Sequence, residues 1–358
     1  MKKPSQKQLA RLLNLSRTTI SRSLSNHPAI HPDTRAKVQA LASKLGYSKT
    51  PTRVIRRNKQ SAPLRIGVLV GMPVVNLGMA TFPAVLQGIR DRAAIDRVDV
   101  DVINQDPTGL DVENLRQPVF QRIRANDWRG AILIYPFAPE VVDQISRKIS
   151  IVSALTEYDH LQIDTVDTDH SDIIGVIGRL AKLGHRRVGF VTWHYTVGGR
   201  WASRRFASYA EGLFHHGLEF DPAWTMNIHR EHAALTTHEA VADHVARQTR
   251  EAGVTAWVCA ADHQAYQLIA DLRVRGIETP RDCSITGFDG IVPPPGMPQL
   301  TTLGVAHADI GGSALSRLLN RILHPMSSRR KILVETSLIE GTTIATPRPS
   351  VARLKFKS

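Results

Sequence analysis

From Leu64 onward, short apolar runs alternate with stretches in which apolar residues recur every three or four positions. Runs such as "LRIGVLVG", "GAILIYP", "RRVGFVTW", "WTMNI" and "TAWVCAAD" indicate buried strands, and stretches such as "FPAVLQGIRDRA" and "HQAYQLIADLRVRG" indicate helices. Strands that are apolar on both faces and are separated by helices are typical of parallel sheets with right-handed crossovers. The alternation restarts after "IDTVDTD", so we predict an α/β body of two doubly wound parallel-sheet subdomains with a cleft between them.

The first sixty residues follow a helical pattern throughout. Ser5 opens a capping box, and Leu9 begins an apolar spacing of three and four residues. Asn14 suits a tight turn, because asparagine tolerates left-handed backbone. Ser16 is placed to cap a second helix that runs to about Leu24.

A third helix is predicted after His31, with Pro32 at its first position. Three short helices, the first two joined by a turn of three or four residues, predict a helix-turn-helix unit. We therefore predict a DNA-binding domain over residues 1–48, a hinge or linker over 49–62, and an effector-binding and dimerisation domain over 63–358.

The charge of the chain is concentrated in this first segment. Residues 1–60 hold 14 of the 46 lysines and arginines but a single acid, Asp33, out of 32 acids. The rest of the chain is almost neutral, although the whole carries a formal net charge of +14. A compact basic unit favours a polyanion partner, and a solvated basic tail is the plainer alternative.

The second helix, "RTTISRSL", carries hydroxyl groups and arginines but no acid. In a DNA major groove an arginine donates two hydrogen bonds to the edge of a guanine, and hydroxyl groups hydrogen-bond to phosphates or bases. We expect base contacts from Arg17, Thr18 and Arg22, and phosphate contacts from Ser16, Thr19, Ser21 and Tyr47. Ser5 and Asn26 complete the DNA-binding candidates of this unit. One such unit reads few bases, so a homodimer on a palindromic site is expected.

The stretch "QLARLLNLSRTTISRSLSNHPAIHPDTRAKVQALASKLGY" resembles the DNA-binding head of the lactose/galactose repressor (LacI/GalR) family. The matching positions are Leu9, Ala10, Ser16, Thr19, Ile20, Ser21, Arg22, Leu24, Thr34, Arg35, Val38, Leu45 and Tyr47. The chain departs from the family pattern at Gln8, Asn14, Ser25 and His31. The resemblance implies a transcriptional regulator, usually a repressor, whose body resembles periplasmic binding proteins and binds a small effector such as a sugar.

The segment "YSKTPTRVIRRNK" departs further from the family, whose hinge helix wedges a leucine into the minor groove. Here the proline comes two residues late, and no leucine follows it. Val54 or Ile55 could serve as the apolar wedge, and Arg53, Arg56 and Arg57 would then bind phosphates. The alternative is a flexible basic linker that makes no kink.

Two aspartates follow apolar runs of the second subdomain, Asp262 after "AWVCAA" and Asp289 in "CSITGFD". Open α/β sheets bind ligands beyond the carboxyl ends of their strands, although a surface or capping aspartate is also common there. The stretches "AKLGHRRVGFV", "RGIETPRDCSITGFDGI" and "PQLTTL" are similar to family signatures. That resemblance places the effector on Asp262, Asp289 and Arg205. Ala261 and Ser208 replace the family's asparagine and glycine. Loss of the asparagine removes a side chain that both donates and accepts hydrogen bonds, so we expect the ligand to differ from the sugars that the family usually binds.

Aromatic residues supply the remaining effector candidates: Phe82, Tyr135 and Trp193. Aromatic rings at a cleft often stack on sugar faces, although Phe and Trp are more often part of a core.

Several function classes find no support in the sequence. The two cysteines form no metal-ligand spacing, and the histidine pair of "HREH" is a poor metal motif. We find no nucleophile motif, no phosphate-binding loop, no membrane span and no signal peptide. We therefore expect a cytoplasmic regulator that is not an enzyme and needs no cofactor or metal. The alternative is a sugar-binding protein or an α/β enzyme with an incidental basic arm.

Overall fold

The computed structural model describes residues 6–24, 30–45, 63–71, 81–111, 113–195, 200–228 and 235–348. The chain forms two compact units, Met1–Ala62 and Pro63–Ser358, which we call the head and the body and describe separately. The boundary predicted between residues 48 and 49 lies outside the described residues.

The head consists of three helices: α1 (Gln6–Leu13), α2 (Arg17–Leu24) and α3 (Pro32–Lys44). Their apolar faces meet in one small core, in which Leu9 and Ile20 are fully buried. Asn14 takes a φ of 51° in the turn between α1 and α2. The amide of Thr19 donates to the Ser16 Oγ at 3.0 Å, so Ser16 caps α2. The predicted three-helix unit is confirmed.

The first subdomain of the body is a parallel sheet with helices on both faces. Its strands are β1 (Leu64–Gly71), β2 (Val98–Gln105), β3 (Gly130–Ile134), β4 (Ser150–Ala154), β5 (Asp164–Thr168) and β10 (Lys331–Val334). They lie in the order β10-β5-β4-β3-β1-β2. Helices α4 (Phe82–Asp96) and α11 (His307–Leu323) pack on one face, and α5 (Pro118–Arg124) and α6 (Pro139–Ser146) pack on the other.

The second subdomain repeats this three-layer plan. Its strands are β6 (Val188–Val191), β7 (Ala256–Cys259), β8 (Ser284–Asp289), β9 (Thr301–Val305) and β11 (Thr336–Ile339), in the order β11-β9-β8-β7-β6. Only β11 runs antiparallel to its neighbour among these strands. Helices α7 (Ile173–Leu183) and α8 (Trp201–His215) cover one face, and α9 (His238–Glu251) and α10 (Asp262–Val274) cover the other. The predicted α/β architecture of two subdomains is confirmed.

The strand predicted at "WTMNI" is wrong. The chain forms a short 3-10 helix over Pro222–Trp224 and then a single bridge between Thr225 and Phe190. Asn227 has a φ of 52°, which turns the backbone out of the extended conformation before a second bridge can form.

The chain crosses between the subdomains three times: at 169–172 after β5, at 306 after β9, and at 335 after β10. The crossings lie side by side, because the Asp169 amide donates to the Val334 carbonyl at 2.8 Å and Val305 pairs with Thr336. Helix α11 and strand β10 therefore return to the first subdomain. The alternation of strand and helix along the sequence does not predict this return, because periodicity does not report which sheet a strand joins.

Helices α4 and α11 approach so closely that their backbones touch. A Cβ atom on Gly88 would lie 1.8 Å from the Ala308 carbonyl oxygen, so only glycine fits there. Both helices begin at the subdomain boundary, at Phe82 and His307. This contact fixes the first wall of the cleft described next.

Candidate DNA-binding helix and effector cleft

Helix α2 presents a polar face to solvent. Ser16, Thr18 and Ser21 are exposed, and Thr19 is half-buried. The hydroxyls of Ser16 and Thr19 lie 2.8 Å apart, so these two side chains also build the start of the helix. The backbones of Arg17 and Arg22 belong to α2, but their side chains lie outside the described part of the structure. The candidates Ser5, Asn26, Tyr47, Arg53, Val54, Ile55 and Arg56 also lie outside it.

A cleft of about 800 Å³ lies between the two subdomains of the body. The first subdomain contributes Thr81, Pro83, Ala84 and His307 to its lining, and the second contributes Val305 and residues 289–295. The segment 289–295 follows β8 directly, so the cleft lies beyond the carboxyl end of a parallel strand, as expected.

Asp289 and Arg205 form a buried ion pair at the cleft. Arg205 Nη2 donates to the Asp289 Oδ1 at 3.2 Å, and its Nη1 donates to the Ala260 carbonyl. The guanidinium lies over the Phe288 ring, 3.7 Å from its centroid, and 4.9 Å from that of Trp201. Burial raises the pKa of Asp289, whereas Arg205 opposes that rise. The structure thus brings together two of the three charged residues predicted for the effector site.

Asp262 is placed differently from the expectation, because its side chain is fully buried and does not line the cleft. Its Oδ2 accepts hydrogen bonds from the amides of Gly290 at 2.7 Å and Ile291 at 2.9 Å. Its Oδ1 accepts one from the Thr302 hydroxyl at 2.5 Å. Asp262 therefore holds the backbone turn that follows Asp289.

That turn needs support, because two consecutive residues have positive φ, 131° for Asp289 and 75° for Gly290. A side chain at residue 290 would also collide with the Gly304 Cα at 2.7 Å. Burial and the nearby Asp289 raise the pKa of Asp262 to about 7. The carboxyl group is thus poorly solvated and is held by neighbouring donors.

Tyr135 belongs to the first wall of the cleft. Its hydroxyl accepts the amide hydrogens of Thr81 at 3.0 Å and Phe82 at 2.9 Å, and so fastens the start of α4. Burial raises the pKa of Tyr135. The rings of Phe82 and Tyr135 meet edge to face, with centroids 6.5 Å apart. Both predicted aromatic residues lie beside the cleft, and Thr81 between them lines it.

Trp193 lies at a separate cavity of about 370 Å³ in the second subdomain, together with residues 235–239. Its ring is 5.2 Å from that of His263 and 6.4 Å from that of His238. The structure does not place Trp193 in the lining of the main cleft.

Sequence reasoning missed Tyr195, His263 and His307. Gln264 donates to the Tyr195 hydroxyl at 2.8 Å, and that hydroxyl lies 2.9 Å from the His263 Nε2. Burial and the Arg205 charge lower the pKa of both His263 and His307 to about 4, so both are neutral near pH 7. The position of Tyr195 beyond β6 and the adjacency of His263 to Asp262 were the available signals.

Within the described ranges, no group of three or more histidine, cysteine, aspartate or glutamate side chains could hold a metal ion. Across the same residues, no helix is long and apolar enough to cross a bilayer.

Comparison with known proteins gives two matches on the two units. Residues 7–51 match the model of bacterial regulatory proteins of the lacI family, and residues 177–344 match the periplasmic binding protein-like domain. The chain thus carries a lacI-family DNA-binding domain and a periplasmic-binding-protein-like domain. The predicted resemblance is confirmed on both units, since the first model covers the helix-turn-helix and the second covers most of the second subdomain.

Relatives of this chain align along nearly its whole length. The ribose operon repressor of Haemophilus influenzae is 23% identical over 337 residues, which cover 93% of this chain and 96% of that protein. The lac repressor dimer bound to operator and the anti-inducer ONPF shares the fold with a TM-score of 0.62 and 20% identity, covering 96% of this chain and 100% of that one. The complex of the regulator CelR with cellobiose has a TM-score of 0.63 and 18% identity, covering 95% and 99%.

Proposed function

We propose that this lacI-family protein is a transcriptional repressor that binds a palindromic operator as a homodimer and responds to a small molecule in the cleft. The head carries this proposal, because residues 7–51 match a regulatory family and helices α1 and α2 form a helix-turn-helix. Base contacts are assigned to Arg17, Thr18 and Arg22, and phosphate contacts to the flanking hydroxyls of α2. Such a protein acts in the cytoplasm and has no catalytic role.

The ligand of the cleft is assigned as a neutral, polyhydroxylated molecule such as a sugar. None of the twelve described residues that line the cleft is lysine or arginine. Arg205 is already paired with Asp289, so a ligand carboxylate or phosphate would meet no available cation there. The Asp289 carboxylate can accept two hydroxyl hydrogens, as a sugar diol offers. Two similar proteins, a ribose operon repressor and the regulator CelR in complex with cellobiose, support a sugar as the ligand class.

Residues of both subdomains line the cleft, so a ligand bound there contacts both of them. It therefore binds best at one distance between the subdomains and favours that arrangement. The first strand of the body begins at Leu64, directly after the hinge predicted over residues 49–62. A change in subdomain angle therefore alters the geometry offered to the two hinges of a dimer. DNA and effector affinities are then linked reciprocally.

The first test is selection of binding sites from a pool of random duplex DNA with the full chain. We expect a palindrome of two half-sites, bound far more tightly than random duplex. Arg22→Ala removes a base contact and is expected to lower discrimination by about 5- to 150-fold, corresponding to about 1–3 kcal/mol. Lys182→Ala, on the second subdomain, is the control. Selection of no common sequence by the unaltered chain would overturn the proposal.

The second test is a thermal-shift screen against neutral sugars, polyols, nucleosides and sugar phosphates. We expect stabilisation by members of the neutral polyhydroxylated set, followed by a change in affinity for the selected palindrome. A response restricted to sugar phosphates would contradict the ligand class while leaving the DNA-binding role intact.

A further inference from the structure

A row of basic residues lies along one edge of the sheet in the first subdomain. All six strands of this sheet are parallel, so all six begin at the same edge. Five of them have a lysine or arginine within two residues of their start. These residues, which we call the basic edge, are Arg65 at β1, Arg97 at β2, Arg129 at β3, Lys148 at β4 and Arg330 at β10, and all are exposed.

The strand order places these residues side by side, with one gap at β5. The Arg129 amide donates to the Arg65 carbonyl at 2.9 Å, so these two positions are direct neighbours. Neighbouring strands lie about 4.8 Å apart, so six strands give the basic edge a length of about 24 Å. Phosphates along a DNA strand have a comparable spacing, so several of them can face the row at once.

The sixth position of the row is an acid whose charge is already neutralised. Asp164 begins β5, is fully buried, and accepts hydrogen bonds from both Arg317 and Arg321. The other acids near this edge are paired too: Asp96 with Arg92, Asp99 with Arg65, Asp101 and Asp127 with Arg122, and Asp143 with Arg147. Arg129 and Lys148 make no ion pair within the described ranges, so positive charge is in excess.

Helix dipoles do not account for the whole row. Basic residues are favoured at helix ends, and this explains Arg97 after α4 and Lys148 after α6. Arg65, Arg129 and Arg330 are not in the last turn of any helix. Their common feature is the edge of the sheet at which β1 enters the body.

We propose that the basic edge binds the phosphates of the DNA that flanks the site held by the head. The inference rests on the proposed DNA-binding function. Residues 46–62 join the described parts of head and body, and seventeen residues span at most about 60 Å. DNA bound by the head is therefore within reach of this edge. Because residues 46–62 tether the head to the body, the bound DNA is present at a high effective concentration near the basic edge.

The experiment compares two duplexes that carry the palindrome selected from random DNA. One ends at the palindrome, and the other extends one helical turn beyond it on each side. Affinities of the full chain are measured from 50 to 200 mM salt. We expect tighter binding and a steeper salt dependence on the extended duplex.

The test variant is Arg129→Glu with Lys148→Glu, and the control is Lys182→Glu with Arg186→Glu, which changes net charge equally on exposed residues of the second subdomain. The test variant is expected to bind the extended duplex no more tightly than the short duplex. Its slope of log K against log salt on the extended duplex falls by about 4, since the two protomers of the proposed dimer together lose four phosphate contacts and each contributes about 0.9. Binding to the short duplex is unchanged. Arg129→Gln with Lys148→Gln removes the same cationic contacts and should lower the slope by a similar amount, and it guards against misfolding caused by the reversed charges.

Equal affinity of the unaltered chain for both duplexes would overturn the inference, as would equal losses in test variant and control. An edge that serves an acidic protein instead gives the first of these results. Failure of the unaltered chain to bind even the short duplex would instead overturn the proposed function.

Discussion

The two walls of the cleft differ in what holds them together. The second subdomain offers a buried ion pair, Arg205 with Asp289, and a buried carboxyl group, Asp262, that fastens the adjoining turn. The first subdomain offers mainly the start of α4, fastened by the Tyr135 hydroxyl. Under the proposed function we therefore expect the second wall to recognise the ligand and the first wall to close over it.

Asp289→Ala is expected to have the largest effect. It removes the carboxylate that faces the cleft and leaves Arg205 buried without its ion pair, a change that costs about 2–5 kcal/mol in buried pairs. Affinity for the sugar or polyol found by the thermal-shift screen should fall at least about 30-fold, while selectivity for the palindrome is retained. Glu340→Ala removes an exposed ion pair with Arg179 in the same subdomain and serves as the control. Unchanged ligand affinity in Asp289→Ala would show that the second wall does not recognise the ligand.

Asp262→Ala comes next. It leaves the amides of Gly290 and Ile291 without their acceptor, which costs about 1–3 kcal/mol in unfolding free energy. Asp262→Asn keeps one oxygen for these amides and offers an NH₂ group to the Thr302 hydroxyl, so it should restore most of the loss. Hydrogen exchange of the two amides and urea unfolding report both effects. If Asn fails like Ala, the carboxyl charge matters rather than the hydrogen bonds.

The same residue predicts a dependence on pH. The pKa of Asp262 is about 7 in the folded chain but 3.8 in the reference state, so the folded state binds the proton more tightly. This group stabilises the fold fully below pH 3.8, and the contribution is lost as pH rises through 7. Asp262→Asn should therefore gain stability relative to the unaltered chain between pH 5 and pH 8, measured by urea unfolding. A constant difference across this range would argue against a raised pKa.

Tyr135→Phe should have the smallest effect. It removes the acceptor of two amides at the start of α4 and costs about 1 kcal/mol, with less than a tenfold loss of ligand affinity. Tyr158→Phe is the matched control, because its hydroxyl accepts the Phe137 amide away from the cleft. A loss of ligand affinity as large as that of Asp289→Ala would reverse the assignment of the two walls.

Local patterns sufficed to predict the head, because its turn and cap depend on neighbours such as Asn14 and Ser16. The layered body was also predictable, since strand and helix periodicities are local. The family resemblance assigned Arg205 and Asp289 to effector binding, but it did not predict the ion pair between them. These residues are 84 positions apart, and periodicity does not report such contacts.

Two features of the site could not be derived from the sequence. Asp262 follows its strand as a ligand-binding aspartate would, but its carboxyl group turns inward to the amides after β8. Its burial depends on Thr302, which lies on another strand. Trp193 likewise follows a strand, yet the start of α9 gives it a cavity of its own. In each case a distant segment decides the side-chain direction.

The three crossings lie side by side, and this has a mechanical consequence. The three crossing segments lie in one row and form a hinge between the two subdomains. Rotation of the subdomains about this row changes few backbone angles, whereas twisting or sliding them strains all three segments. The body thus has one soft degree of freedom. A molecule that fills the cleft can therefore transmit a single quantity to the rest of the protein, namely the angle between the two subdomains.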